Sequence, residues 1–200
     1  MKRADLLSKL ADAIASRSLV RISRKVEPGV ADGYIVNTSE HWLLLLLVGD
    51  AISYAGFQAF RLQDVASLEV PSPRAAFYET VLRKRGLRRP VPPKLGLSSS
   101  EELIRSAGER FPLVTIHREK ADPGVCHIGR VVRVSPASVS LLEVDLDAAW
   151  DEDPTAYRLA QVTRVDFGGP YEEALTLVAV TANPSVKGTS RRRAAPYVER

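Results

Sequence analysis

The residues most able to do chemistry are few and scattered. Cys126, His127 and His117 are the one grouping with metal-ligand character. Neighbours on a strand point to opposite faces, so Cys126 and His127 do not converge on one ion without a bulge. CxxC and HxxxH spacings are absent, and no metal or other cofactor is expected. Cys126 reads as a small buried apolar residue. The acids of AspLeuAspAlaAlaTrpAspGluAspPro (145–154) lack the glycine and closing glutamate of a calcium loop, and read as a solvated hairpin tip. No GxSxG, P-loop or paired nucleophile and base is present, so an enzyme is not expected.

Basic side chains remain. Arg61 and Arg158 each stand between an aromatic residue and a leucine, in Phe60-Arg61-Leu62 and Tyr157-Arg158-Leu159. Such an arginine at a pocket rim would take phosphate or carboxylate; packed along the strand, it would pair with an acid such as Asp64 or Asp166. Arg191, Arg192 and Arg193 are candidates for nucleic-acid contact through counterion release. So is the stretch RKRGLRRPVPPK (83–94), with six bases and no acid. No aromatic residue is interleaved in either stretch to stack on bases. Without 83–94 and the tail from 184, 17 bases face 23 acids, so the positive charge lies in a linker and a tail.

These residues sit on elements that occur twice. Leu19-Val20-Arg21-Ile22-Ser23-Arg24 matches Leu113-Val114-Thr115-Ile116-His117-Arg118, and Pro28-Gly29-Val30 matches Pro123-Gly124-Val125. Gly33-Tyr34-Ile35-Val36 matches Gly129-Arg130-Val131-Val132, Ser39 falls opposite Ser135, and Phe60-Arg61-Leu62 matches Tyr157-Arg158-Leu159. A helix precedes each copy. Leu6, Leu7, Leu10 and Ile14 form one apolar face; Leu103, Ile104, Ala107 and Phe111 form the other, behind a Ser99/Glu102 capping box. Period-two alternation predicts strands near 19–25, 32–38, 41–48, 54–61 and 65–70, then 113–119, 127–134, 138–145, 155–159 and 162–167. The third strand, WLLLLLV, is apolar throughout and should be covered on both faces. A short helix is expected after each strand set, at 75–82 and 171–175.

This pattern predicts a mainly β chain: two tandem five-stranded barrels, each with a leading and a short trailing helix. The divisions expected are 1–82, a basic proline-rich linker at 83–97, 98–183, and a disordered basic tail at 184–200. The breaks at Leu62-Gln63-Asp64 and Leu159-Ala160-Gln161 and the strongly bent strands resemble the Sm-like (SH3-type) fold over about 65 residues of each copy. That resemblance implies small β-barrels, but neither copy keeps the loop residues through which Sm-like proteins commonly bind RNA. A second resemblance, to WYL domains, rests on Trp42-Leu43-Leu44 with Phe60-Arg61-Leu62. It implies a barrel that senses a ligand or nucleic acid, and adds Trp42 to Arg61 and Arg158 as ligand-binding candidates. Together they make the chain similar to bacterial tandem Sm-like proteins.

The expected function is non-catalytic binding, with a protein partner or self-association. RNA or DNA binding and small-ligand sensing are the alternatives. No run of about 18 apolar residues is present, the first 18 residues read as an amphipathic helix and not a signal peptide, and the lone cysteine fits a reducing cytosol. A cytoplasmic protein without membrane association is expected.

Overall fold

The computed structural model describes residues 3–179, and the chain divides into two compact units between Ser98 and Ser99. The tail from 184, with Arg191, Arg192 and Arg193, lies outside the described residues. Among the described residues no helix is long and apolar enough to cross a membrane.

The first unit opens with α1 (Arg3–Ser16), whose Leu6, Leu10 and Ala13 are buried while Leu7 is exposed. Five strands follow: β1 (Leu19–Arg24), β2 (Val30–Thr38), β3 (Trp42–Val48), β4 (Tyr54–Arg61) and β5 (Val65–Glu69). A 3₁₀ turn, Leu62–Asp64, separates the last two. The helix α2 (Ala75–Lys84) closes the set, and Gly86 ends it in left-handed backbone (φ 66°) that a side chain would strain. Segment 83–97 thus supplies the end of α2 and a run without helix or strand within the first unit.

The second unit has α3 (Ser100–Gly108), β6 (Val114–His117), β7 (Cys126–Val134), β8 (Ser138–Glu143), β9 (Thr155–Arg158) and β10 (Arg164–Phe167). A 3₁₀ turn, Leu159–Gln161, precedes β10, and α4 (Pro170–Ala179) follows it. Ser99 caps α3 by accepting from Glu102 N at 3.1 Å. Phe111, expected on the helix stripe, lies beyond the helix end and packs on Phe167 with ring centroids 4.8 Å apart.

Every pairing within a unit is antiparallel, in the order β5-β1-β2-β3-β4 and β10-β6-β7-β8-β9. The first and last strands of each order do not hydrogen-bond to each other, so the sheets are open and not barrels closed by a continuous ladder. The chain is therefore mainly β and antiparallel.

Several matched residues do the same mechanical work in both units. The β2–β3 register slips between Ile35 and Asn37, and the β7–β8 register between Val131 and Arg133. A bulge at that point bends the strand and increases its twist. Three residues earlier, Gly33 and Gly129 let the neighbouring strand come close. A Cβ on Gly33 would lie within 3.0 Å of Leu46 O and 2.9 Å from Leu45 Cγ, and one on Gly129 within 3.0 Å of Leu142 O. Ser39 and Ser135 close equivalent turns: Ser39 N donates to Trp42 O and Ser135 N to Ser138 O, both at 2.8 Å. Leu43, Leu45, Val20, Ile22, Phe60 and Leu62 form the first core with Leu6 and Leu10. Trp42, Leu44 and Leu46 are also buried, so β3 is covered on both faces.

Candidate functional site

Of the residues singled out in the sequence, Arg61 and Trp42 come together. They are register partners on β3 and β4, and the Arg61 guanidinium lies 5.7 Å from the Trp42 ring centroid. Burial lowers the arginine's pKa and the nearby Asp64 carboxylate opposes that shift. Trp42 is 1% exposed, so its ring serves packing and offers no open face to a ligand. Arg158 stands opposite Ser138 and is exposed.

The second unit contains two polar clusters. In one, Tyr157 Oη donates to Glu143 Oε1, and His127 Nδ1 lies 3.2 Å from Glu143 Oε2 and 2.9 Å from Tyr157 Oη. Burial and the adjacent carboxylate push the Tyr157 phenol far up. Burial alone would raise Glu143, but hydrogen bonds from His127 and Tyr157 outweigh it and hold the carboxyl below its ordinary range. Arg118 stacks over the Tyr157 ring at 4.9 Å, pairs with Asp122 and donates to Gln161 at 3.1 Å. In the other cluster, His117 Nε2 lies 3.0 Å from Asp166 Oδ2, and Arg164 lies 3.1 Å from Asp166 and 3.5 Å from Glu119. Cys126 is the register partner of His117, and burial pushes its thiol up, away from the reactive thiolate. His127, on the other face of β7, belongs to the first cluster. Among the described residues no group of three or more His, Cys, Asp or Glu has metal-holding geometry.

The acidic segment 145–154 folds onto its own unit. Asp145 Oδ1 accepts from Asp147 N and Ala149 N, each at 2.9 Å, and Val144 and Trp150 form an isolated bridge. Trp150 Nε1 donates to Ala179 O at 3.0 Å, and Arg130 lies over its ring at 4.9 Å.

A concavity in the first unit forms a groove of about 540 Å³ that the sequence did not reveal. Its walls include Tyr34 from β2, Tyr54 from β4, Glu79 from α2, and Arg83, Arg88 and Arg89. Tyr34 is buried, and Arg89 covers its ring with the guanidinium carbon 3.5 Å from the centroid. Burial, then the Glu79 carboxylate, raise the Tyr34 phenol against the opposing pull of Arg89. Tyr34 Oη donates to Glu79 Oε1 over 3.4 Å. Tyr54 is half-buried, while Arg83 and Arg88 are exposed and make no ion pair among the described residues. The aromatic partners for the basic stretch, absent from its own sequence, are supplied by strands 30 to 50 residues upstream.

No family model, curated protein or solved structure matches this chain.

Proposed function

We propose that this chain is a non-catalytic binding module, and that the arginine groove of its first unit takes a phosphate-bearing polymer, single-stranded RNA or DNA. The observation that carries the reading is the convergence of Arg83 and Arg88, both without acidic partners among the described residues, on a groove walled by Tyr34 and Tyr54. Exposed cations gain affinity by displacing counterions from phosphates, and a half-exposed tyrosine offers a face for a base. Tyr54 is that tyrosine, because Arg89 already covers Tyr34.

The tandem small-barrel reading belongs here too. It draws support from the matched bulges after Ile35 and Val131, the matched turns at Ser39 and Ser135, and the 3₁₀ turns before β5 and β10.

The test is fluorescence anisotropy of a labelled single-stranded RNA, titrated at several salt concentrations. Each phosphate contact contributes roughly −0.7 to the slope of log affinity against log salt for a single strand. An Arg83→Ser/Arg88→Ser variant should therefore bind more weakly and lose about 1.4 from that slope. An unchanged slope and affinity would remove the groove from consideration. Loss on Arg191→Ser/Arg192→Ser/Arg193→Ser alone would place the contact in the tail.

A further inference from the structure

Beyond that groove, the chain between Arg88 and Leu97 has the properties of a ligand for another protein. In Arg88-Arg89-Pro90-Val91-Pro92-Pro93-Lys94 three residues are proline and two others, Arg89 and Val91, directly precede one. Proline fixes its own φ near −65°, and the residue before a proline is driven out of the helical region into extended or polyproline II backbone. Residues 89–93 are all restricted by one or both effects. Residues 87–97 accordingly carry no helix or strand. Three residues complete a polyproline II turn of about 9 Å, which puts Pro90 and Pro93 on one edge.

This run is held at both ends and exposed between them at Pro90, Val91 and Pro92. On its N-terminal side Leu87 N donates to Leu82 O and Gly86 N to Arg83 O, both at 3.0 Å, and Arg89 is stacked on Tyr34. On its C-terminal side Leu97 is 5% exposed, and its carbonyl accepts from Ser39 Oγ at 2.6 Å. Between these anchors Val91 is 89% exposed, the most exposed of the large apolar side chains described. Arg88 and Lys94 flank the prolines, exposed and without an ion pair among the described residues. An apolar residue left in water gains nothing for the fold. A preformed extended segment, by contrast, loses little entropy when it docks.

We infer that Arg88–Lys94 is a tethered polyproline II ligand for a partner protein that presents a shallow, aromatic-lined groove with an acidic rim. The prolines and Val91 would lie against the rings, and Arg88 and Lys94 would meet the acids. Anchoring by Arg89 and Leu97 keeps the run extended, so the folded chain should bind better than a free peptide of the same sequence.

The experiment uses the full chain, with an isotopically labelled SH3 domain and a labelled WW domain as aromatic-groove probes, each followed by NMR. The expected result is saturable shift changes at the groove aromatics of at least one probe. They should weaken on the order of tenfold, a loss of about 1.4 kcal/mol, in Pro90→Ala/Pro93→Ala. Circular dichroism checks that this double variant, at exposed Pro90 and partly buried Pro93, stays folded. Arg83→Ser, which alters the nucleic-acid groove and not the proline run, should leave probe binding unchanged, so the two readings fail separately. The inference falls if neither probe shifts at its aromatic groove. It also falls if the proline variant binds as wild type, or if only Arg88→Ser/Lys94→Ser abolishes binding, since that would be a contact of charge alone.

Discussion

Replacing Gly33 with alanine should destabilise the first unit, although the added group is one methyl. Gly33 lies in β2 opposite Leu47, and its Cα faces the β3 backbone with no room for a side chain. A Cβ there would press within 3.0 Å of Leu46 O and sit 2.9 Å from Leu45 Cγ, and Leu45 is completely buried in the core. Backbone oxygen cannot rotate away, so relief requires β2 and β3 to part near the bulge that follows. Overpacking of this kind costs about 1–3 kcal/mol, and a backbone obstacle places Gly33→Ala toward the upper end, about 2–3 kcal/mol. With a urea m-value of roughly 2 kcal/mol/M, the midpoint should drop by about 1–1.5 M. Urea unfolding followed by far-ultraviolet circular dichroism and by tryptophan fluorescence measures this. Trp42 lies in the first unit and Trp150 in the second, so Trp42→Phe and Trp150→Phe backgrounds assign each transition. Gly129→Ala should do the same to the second unit. Gly124→Ala is the contrast, because Gly124 has φ 72° and open space around it, and left-handed backbone alone costs about 1–2 kcal/mol. A Gly33→Ala unfolding free energy within about 0.5 kcal/mol of wild type would refute close strand approach as the reason for that glycine.

Two further outcomes test the buried polar contacts. Glu143 has a depressed pKa in the folded state, so its contribution is complete above the unfolded carboxyl pKa and disappears as pH falls through the folded value; Tyr157 has a raised pKa, so its contribution is complete below the unfolded phenol pKa and is lost as pH rises beyond it. Melting temperature against pH should therefore fall on the acid side below about pH 4.5, and Glu143→Gln should flatten that fall; an acid limb identical in both proteins would contradict the assignment. In the first unit Arg21 makes a two-pronged contact with Asp32 (3.1 and 2.7 Å), which also accepts from Ser72 Oγ at 2.6 Å. Asp32→Ala leaves the arginine facing a polar void and should cost about 2–3 kcal/mol in urea unfolding, with much of it recovered in Arg21→Met/Asp32→Ala if the penalty is an uncompensated charge.

What the sequence by itself determined was local. Strand positions other than the wholly apolar β3 followed from period-two alternation, because a strand with one buried face must alternate whatever lies around it. The cap at Ser99 was legible because a neighbouring residue satisfies it; the one-turn breaks at 62–64 and 159–161 followed from the Sm-like resemblance, and distant residues hold them, Leu62 N donating to His41 O and Leu159 N to Ala137 O. Leu7 was misjudged, because helical spacing does not say how wide a stripe the sheet will cover. Tertiary structure decided everything that depends on residues distant in the chain. The basic stretch after α2 looked bare of aromatic partners; folding brings Tyr34 and Tyr54 to it from β2 and β4. Glu143, His127 and Tyr157, on three strands, become one hydrogen-bonded cluster only through the β7–β8 and β8–β9 registers. The hydrogen bond from Ser39 to Leu97, 58 residues away, ties to the first unit what composition alone describes as a linker. Alternation, caps and proline restriction act over a few residues and can be read in order, whereas a groove or a buried pair exists only where strands have been set side by side.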